Sequence, residues 1–205
     1  MPTVMLIRHG ETDFVKSGKM AGRTPGVHLN EKGQHEAEEL VLLLKDAPIK
    51  AIYSSPMERT LETAKPLAIS KGLKVIKNRG LIETDIGDWM GMEIKKARKL
   101  SAWKTVQLAP SRFRFPNGES FLEAQTRQVN AVEDIVSHHP GNLLVAVFSH
   151  ADPIRLVMAY YLGMNLDLFQ RLACQTCSIS LLHFSDHGVT IPGFNLRSSL
   201  NLPSN

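Results

Sequence analysis

Val4-Met5-Leu6-Ile7-Arg8-His9-Gly10-Glu11-Thr12 runs from four unbroken apolar residues into an arginine, a histidine and a glycine. An apolar run of that length without alternation reads as a strand covered on both faces, the pattern of a parallel sheet. A buried strand that ends in charged side chains delivers them to the carboxyl edge of the sheet, where open α/β sheets bind ligands. Everything else in the chain is arranged around that edge.

Two more apolar runs end in the same way. Ala51-Ile52-Tyr53 passes into Ser54, Ser55 and Pro56, a helix cap followed by a proline at the first helical position, and the helix so opened carries Arg59 in its first turn. Residues 143–148 form an uninterrupted apolar segment that hands over to Ser149 and His150, with Asp152 as cap and Pro153 as the first residue of the next helix. Between these strands the period changes to that of helices. Ala37, Leu40, Val41 and Leu44 mark a helix over 31–45 capped by Asn30, and Leu61, Ala64 and Ala68 mark one that Pro66 should bend and Gly72 should end. Leu122, Val129, Val132 and Val136 mark a helix over 119–137, and Ile154, Val157, Met158 and Tyr161 another before Gly163. A third strand is expected at 73–76, with closing strands at 178–184 and 189–191. Residues 13–29, with Gly18, Gly22, Pro25 and Gly26, read as a shaped loop. Residues 92–118, with Trp103, Phe113 and Phe115, read as an irregular insertion that covers a site, and 198–205 as a flexible tail. Strands alternating with such helices specify an α/β fold with a mostly parallel central sheet and helices on both faces, here one domain over 1–205.

Composition narrows the function classes. The 205 residues are 43% hydrophobic, enough for one well-filled core, and the 24 basic and 20 acidic residues leave a charge of +4. That excess suits an anionic small molecule, and the one basic cluster, Lys95, Lys96, Arg98 and Lys99, is small for a nucleic-acid footprint. No run approaches the ~20 apolar residues of a membrane helix and no secretory leader opens the chain, so a cytoplasmic location is expected. Cys174 and Cys177 form a CxxC without a second ligand pair at zinc spacing, which reads as two small buried thiols before a redox pair or half a zinc site.

In a parallel sheet the ends of the three strands lie on one side, so two histidines and two arginines converge in one pocket. Such a pocket wants a phosphate, since arginine forks neutralise a phosphoryl group without a metal. There is no Walker loop and no cysteine followed five residues later by arginine. The motif Arg8-His9-Gly10-Glu11-Thr12, joined to Arg59, to Glu83 with Gly87, Trp89 and Gly91 (E-x-x-x-G-x-W-x-G), and to His150, resembles the histidine phosphatase superfamily. The resemblance spans residues 4–163 and implies a three-layer αβα domain of the phosphoglycerate mutase-like kind, with 92–118 as a lid.

The roles follow from the chemistry and the resemblance together. A neutral imidazole attacks phosphorus if its other nitrogen keeps a proton held by an acceptor, here a backbone carbonyl near Gly10, and that assigns the nucleophile to His9. Arg8, Arg59 and a protonated His150 would hold the equatorial oxygens. Glu83, beside Ile82 and near Trp89, resembles the proton donor of the phosphatase branch, with its acidic form favoured by burial. Substrate contacts are expected from Thr12, Gly22, Arg23 and Ala151. Family members often have Trp and Asn after the RHGET turn and Gln before the next glycine; here Phe14, Val15 and Ala21 stand there, and Arg23 is expected to replace the missing polar groups. Ala151 stands where the family usually has glycine, which is tolerable if that backbone needs no positive φ. His28, His35, His138, His139, His183 and His187 read as structural or solvated.

The leading reading is a metal-independent phosphomonoesterase acting on a small phosphorylated metabolite through phosphohistidine, with no cofactor and no metal. A cofactor-dependent phosphoglycerate mutase is the alternative, and an inactive phospholigand-binding module a third. The partners implied are a small phosphorylated substrate or inorganic phosphate, with neither nucleic acid nor membrane; a homodimer is compatible with the chain.

Overall fold

A six-stranded sheet in the order β3-β2-β4-β1-β5-β6 organises residues 2–197, which the computed structural model describes. Its strands are β1 (Thr3–Arg8), β2 (Ile49–Ser54), β3 (Val75–Lys77), β4 (Leu144–Ser149), β5 (Ile179–Ser185) and β6 (Gly188–Leu196). β1, β2, β3 and β4 are mutually parallel, while β5 runs antiparallel to β1 and β6 antiparallel to β5. Parallel strands need crossovers, and helices supply them. The helices are α1 (Asp13–Ser17), α2 (Glu31–Leu43), α3 (Glu58–Lys71), α4 (Ile94–Ala97), α5 (Trp103–Leu108), α6 (Phe121–Ser137) and α7 (Ala151–Tyr161).

The two faces of β1 show why the opening run is apolar throughout. Val4 and Leu6 pack with Val132, Ile135, Ile154 and Val157 of α6 and α7, whereas Met5 and Ile7 pack with Leu40, Ala64 and Leu67 of α2 and α3. β4 does the same with Val145 and Val147 on one side and Ala146 and Phe148 on the other, so the three-layer expectation holds. A separate aromatic cluster, with Trp89, Phe113, Phe115, Phe121 and Phe169, roots the 92–118 segment against α6 and α7. Residues 198–205, expected to form a tail, lie outside the described residues. No helix among the described residues is long and apolar enough to cross a membrane.

Several local expectations are corrected. The helix after β2 starts at Glu58 with Met57 as N-cap, and neither Ser54 nor Ser55 caps it; the Ser55 hydroxyl is engaged instead with His150. α7 starts at Ala151 with His150 as N-cap, so Asp152 lies in its first turn and Pro153 is its third residue. That proline is harmless because the first-turn N–H groups have no helical acceptor anyway. α6 begins at Phe121 behind a Ser120/Glu123 capping box, which turns Phe121 and Ala124 into the core and leaves Leu122 56% exposed. The loop at 13–29 contains the short helix α1, capped by the Thr12 hydroxyl and closed by Gly18.

Candidate active site

Strand register builds the site. Arg8 and Ser149 are paired across β1 and β4, and Ser54 and Phe148 across β2 and β4, so the residues that follow each strand emerge side by side. The His9 N–H then donates to the Ser149 carbonyl at 3.0 Å, and the His9 and His150 rings meet edge to face with centroids 5.3 Å apart. Behind His9 the chain has no room for side chains: a Cβ on Gly10 would lie 2.6 Å from the Gly33 carbonyl oxygen, and one on Gly33 would lie 2.1 Å from the Glu11 carbonyl oxygen. α2 thus packs its first turn straight onto the turn that carries the histidine. Thr63, one turn after Arg59 on α3, accepts the Gly10 N–H at 3.0 Å and donates to the Arg59 carbonyl.

His9 is 4% exposed, and its Nδ1 lies 2.7 Å from the Gly10 carbonyl oxygen. A carbonyl only accepts, so Nδ1 carries the proton and Nε2 keeps its lone pair. Burial, with the charges of Arg59 and Arg8, holds the imidazole well below its ordinary pKa and therefore neutral. His150 is fully buried, with Nε2 2.9 Å from Ser55 Oγ. The hydroxyl also accepts the Met57 N–H at 3.4 Å; with the hydroxyl proton donated to Nε2, the imidazole carries its N–H at Nδ1, 3.8 Å from Glu83 Oε2. Burial, Arg59 and His9 lower the pKa of His150 as well, so its ring is neutral in the ligand-free site; the protonated His150 expected from the sequence belongs to the site with a phosphoryl group bound.

The arginines are held by backbone and have donors to spare. Arg8 Nη1 donates to the Cys174 carbonyl at 2.7 Å, and Arg59 Nη2 to the Gly22 carbonyl at 2.8 Å. Arg8 Nε, Arg59 Nε and Nη1, and His150 Nδ1 are buried without a hydrogen-bond partner among the described residues. Buried donors of this kind are costly unless something anionic meets them. Gly22 has φ +49°, and a Cβ there would lie 2.6 Å from Ile86, so the carbonyl that orients Arg59 depends on glycine.

Glu83 Oε2 lies 3.8 Å from His150 Nδ1, and Oε1 accepts the Thr84 N–H at 2.9 Å. Burial, and next the negative charge of Asp152, push its carboxyl up to about 7, against the opposing pull of Arg59. The five residues expected to do chemistry, Arg8, His9, Arg59, Glu83 and His150, are thus gathered in one place. All but the deeply seated His150 line a cavity of about 420 Å³, and Thr12, Gly22 and Ala151 line it too. Ala151 is the first residue of α7 and has no positive φ.

Arg23 does not line that cavity. Its guanidinium is bound to the Glu83 carbonyl, Asp85 and Glu119, so it does not replace the polar groups missing at Val15 and Ala21. The polar wall comes instead from residues the sequence did not single out for the site: Lys19, Gln107, Arg155 and Gln170, with Arg98 from the basic cluster. Trp89, Trp103, Val106 and Phe115 form the apolar wall. Of the missed residues, Thr63 carried a signal in its i+4 spacing from Arg59, and Arg155 in its place on the first turns of α7; Gln107 sits on the short helix α5, and Lys19, Arg98 and Gln170 lie outside the α-helices, where no periodicity reports the path. His28 sits against Glu62, His139 against Tyr53 and His183 against Thr3, all away from the cavity. Cys174 and Cys177 are free and buried, and burial pushes the Cys177 thiol up to about 12.

The chain is similar to proteins named as phosphatases and as phosphoglycerate mutases. Phosphoserine phosphatase 1 of Hydrogenobacter thermophilus is 30% identical over 202 residues, 98% of this chain and 95% of its own. The 2,3-bisphosphoglycerate-dependent phosphoglycerate mutase of Thermoplasma acidophilum is 30% identical over 182 residues, 89% of this chain and 87% of its own. Among solved structures, Bacillus stearothermophilus YhfR matches with a TM-score of 0.88 at 26% identity, covering 98% of each chain. Phosphoserine phosphatase of Entamoeba histolytica, solved with 3-phosphoglyceric acid, matches with a TM-score of 0.84 at 25% identity, covering 96% of this chain and 98% of its own. The family model of the histidine phosphatase superfamily (branch 1) matches residues 4–197, and the chain belongs to that superfamily.

Proposed function

We propose that the chain is a phosphomonoesterase that works without a metal ion, through a phosphohistidine on His9, on small phosphorylated metabolites. The observation that carries this reading is the neutral His9, its Nδ1 proton pinned on the Gly10 carbonyl, set among buried donors of Arg8, Arg59 and His150 that lack partners among the described residues. A phosphoryl group seated there meets positive charge that a cation would otherwise supply. His9 Nε2 forms the bond to phosphorus as the P–O bond to the alcohol breaks, and Glu83, a carboxyl that keeps its proton up to about pH 7, protonates the departing oxygen. The Glu83 carboxylate then takes a proton from water as the water oxygen attacks the phosphohistidine, which restores His9 and releases phosphate.

The relatives named as phosphoserine phosphatases support hydrolysis and a carboxylate-bearing substrate, and the cavity offers Lys19, Arg98 and Arg155 beyond the phosphate arginines. The Thermoplasma relative supports the mutase alternative, in which the phosphoryl group returns to a bound hydroxyl. Turnover of a panel of phosphorylated metabolites, phosphoserine and 3-phosphoglycerate included, with His9→Ala as the blank, decides. Release of inorganic phosphate with multiple turnovers supports the phosphatase. Interconversion of 3- and 2-phosphoglycerate primed by bisphosphoglycerate, without phosphate release, supports the mutase. Failure of every phosphomonoester to leave an acid-labile, base-stable phosphohistidine would support a binding module.

A further inference from the structure

Glu83 lies on a stretch that no regular element supports: residues 79–89 contain only single turns at Arg79–Leu81 and Gly87–Trp89. Side chains hold its backbone instead. Ser149 Oγ donates to the Leu81 carbonyl at 2.9 Å and Gln128 Nε2 to the Ile82 carbonyl at 2.6 Å. Arg127, on α6, donates through Nη1 to the carbonyls of Gly80 and Ile82 at 2.8 and 2.9 Å, and through Nη2 to that of Glu83 at 3.5 Å. From the other side Arg23 Nε donates to the Glu83 carbonyl at 2.9 Å and Nη1 to Asp85 Oδ2 at 3.1 Å.

Glu119 joins the two arginines. Its Oε1 accepts from Arg23 Nη2 at 2.8 Å and Arg127 Nε at 2.9 Å, and its Oε2 from Arg127 Nη2 at 2.9 Å and the Asp85 N–H at 3.0 Å. Burial opposes its ionisation, but the bonds from Arg127 and Asp85 N–H, with both arginine charges, hold its carboxyl below the ordinary range. With every group ionised, Arg23 and Arg127 balance Glu119 and Asp85, so the cluster adds rigidity without adding net charge beside the acid. None of Arg23, Glu119 and Arg127 lines the catalytic cavity. Arg23 also follows Gly22, whose carbonyl aims Arg59. Two successive residues of one loop therefore hold the phosphate clamp and the acid.

We propose that Arg23, Glu119 and Arg127 form a positioning clamp that holds the Glu83 carboxyl at the ester oxygen and sets it in register with Arg59. This rests on Glu83 being the acid. A general acid works only within hydrogen-bond reach of the oxygen it protonates, and small displacements cost rate steeply.

Leaving-group dependence separates misplacement of the acid from general damage. Phenyl phosphate needs its oxygen protonated and 2,4-dinitrophenyl phosphate does not, and kcat/KM reports the steps up to phosphohistidine formation, before Glu83 acts on water. Glu83→Gln should lower kcat/KM for phenyl phosphate by roughly 10²- to 10⁴-fold and spare the dinitrophenyl ester. Arg23→Met and Glu119→Gln should each lower phenyl phosphate turnover at least about tenfold, with the dinitrophenyl ester changed less than about threefold. Arg23→Lys, which keeps the charge but on a single donor nitrogen in place of three, should recover part of the loss. Because the dinitrophenyl ester counts working sites, a variant that folds poorly lowers both substrates together. In clamp variants whose circular dichroism and cooperative melt match the wild type, equal loss on both substrates, or none on phenyl phosphate, while Glu83→Gln stays selective would overturn the clamp alone. Equal loss in Glu83→Gln itself would remove the acid assignment and the clamp with it.

Discussion

Replacing Glu83 with glutamine should remove a pH-dependent penalty on folding as well as an acid. In the folded chain burial and Asp152 raise the carboxyl from an ordinary 4.5 to about 7. Between those values the folded protein keeps a proton that the unfolded chain has released, so stability falls as pH rises through this window. At about 1.4 kcal/mol per pKa unit, the shift amounts to roughly 3 kcal/mol, present in full below the unfolded value and lost by the time Glu83 ionises in the fold. Glutamine has the same shape, supplies N–H donors where the acid has its O–H, and does not titrate. Urea unfolding of both proteins from about pH 4.5 to pH 8 should show the variant gaining on the wild type by roughly 3 kcal/mol across the range. Taking the difference matters because His9 and His150, depressed by burial, act in the opposite sense in both proteins and cost stability as pH falls below their unfolded value. A difference that stays flat, or that shrinks as pH rises, would refute a Glu83 that keeps its proton to about pH 7 in the fold.

Other outcomes follow from the same geometry. His9→Ala should abolish turnover and phosphohistidine labelling while leaving the circular dichroism spectrum and the cooperative melt in place; residual labelling would move the nucleophile elsewhere. The kcat/KM profile for phenyl phosphate should fall on the alkaline side with a midpoint near the Glu83 value of about 7, and that limb should vanish with 2,4-dinitrophenyl phosphate. Gly22→Ala, which forces φ +49° on alanine and drives a methyl into Ile86, should lower stability by about 1–3 kcal/mol and weaken vanadate binding through Arg59, read by thermal melts and by titration. Cys174 and Cys177, both buried and with thiols raised by burial, should resist a thiol reagent until the chain is unfolded; rapid labelling of the native protein would show that the loop under Arg8 opens.

Much of the architecture was legible because its signals are local. The apolar runs of β1 and β4 are apolar because both faces are covered, and that showed in the sequence as missing alternation. Periodicity predicts the helices over 31–45 and 119–137, the first with its Asn30 cap, and they stand at Glu31–Leu43 and Phe121–Ser137; the Ser120 cap starts the second at Phe121 and leaves Leu122 on the exposed face. Helix starts at Glu58 and Ala151 were misplaced for one reason: Ser55 and Asp152 look like caps, but Ser55 is engaged with His150 and Asp152 with Arg155. Propensity reports what a residue can do alone, and long-range partners decide what it does.

Residue identity and order by themselves determined the parallel sheet, the covering helices and the chemical type of the five central side chains, since strand patterning places Arg8, His9, Arg59 and His150 at one edge. Only the tertiary structure decided protonation and aim. Whether His150 is charged, whether Glu83 holds its proton near neutrality, and whether Arg23 faces the substrate or the backbone behind the acid all depend on burial and on neighbours far away in the chain. Its place after Gly22 points Arg23 at phosphate; it turns away because Glu119, 96 residues later, offers it a half-buried carboxylate.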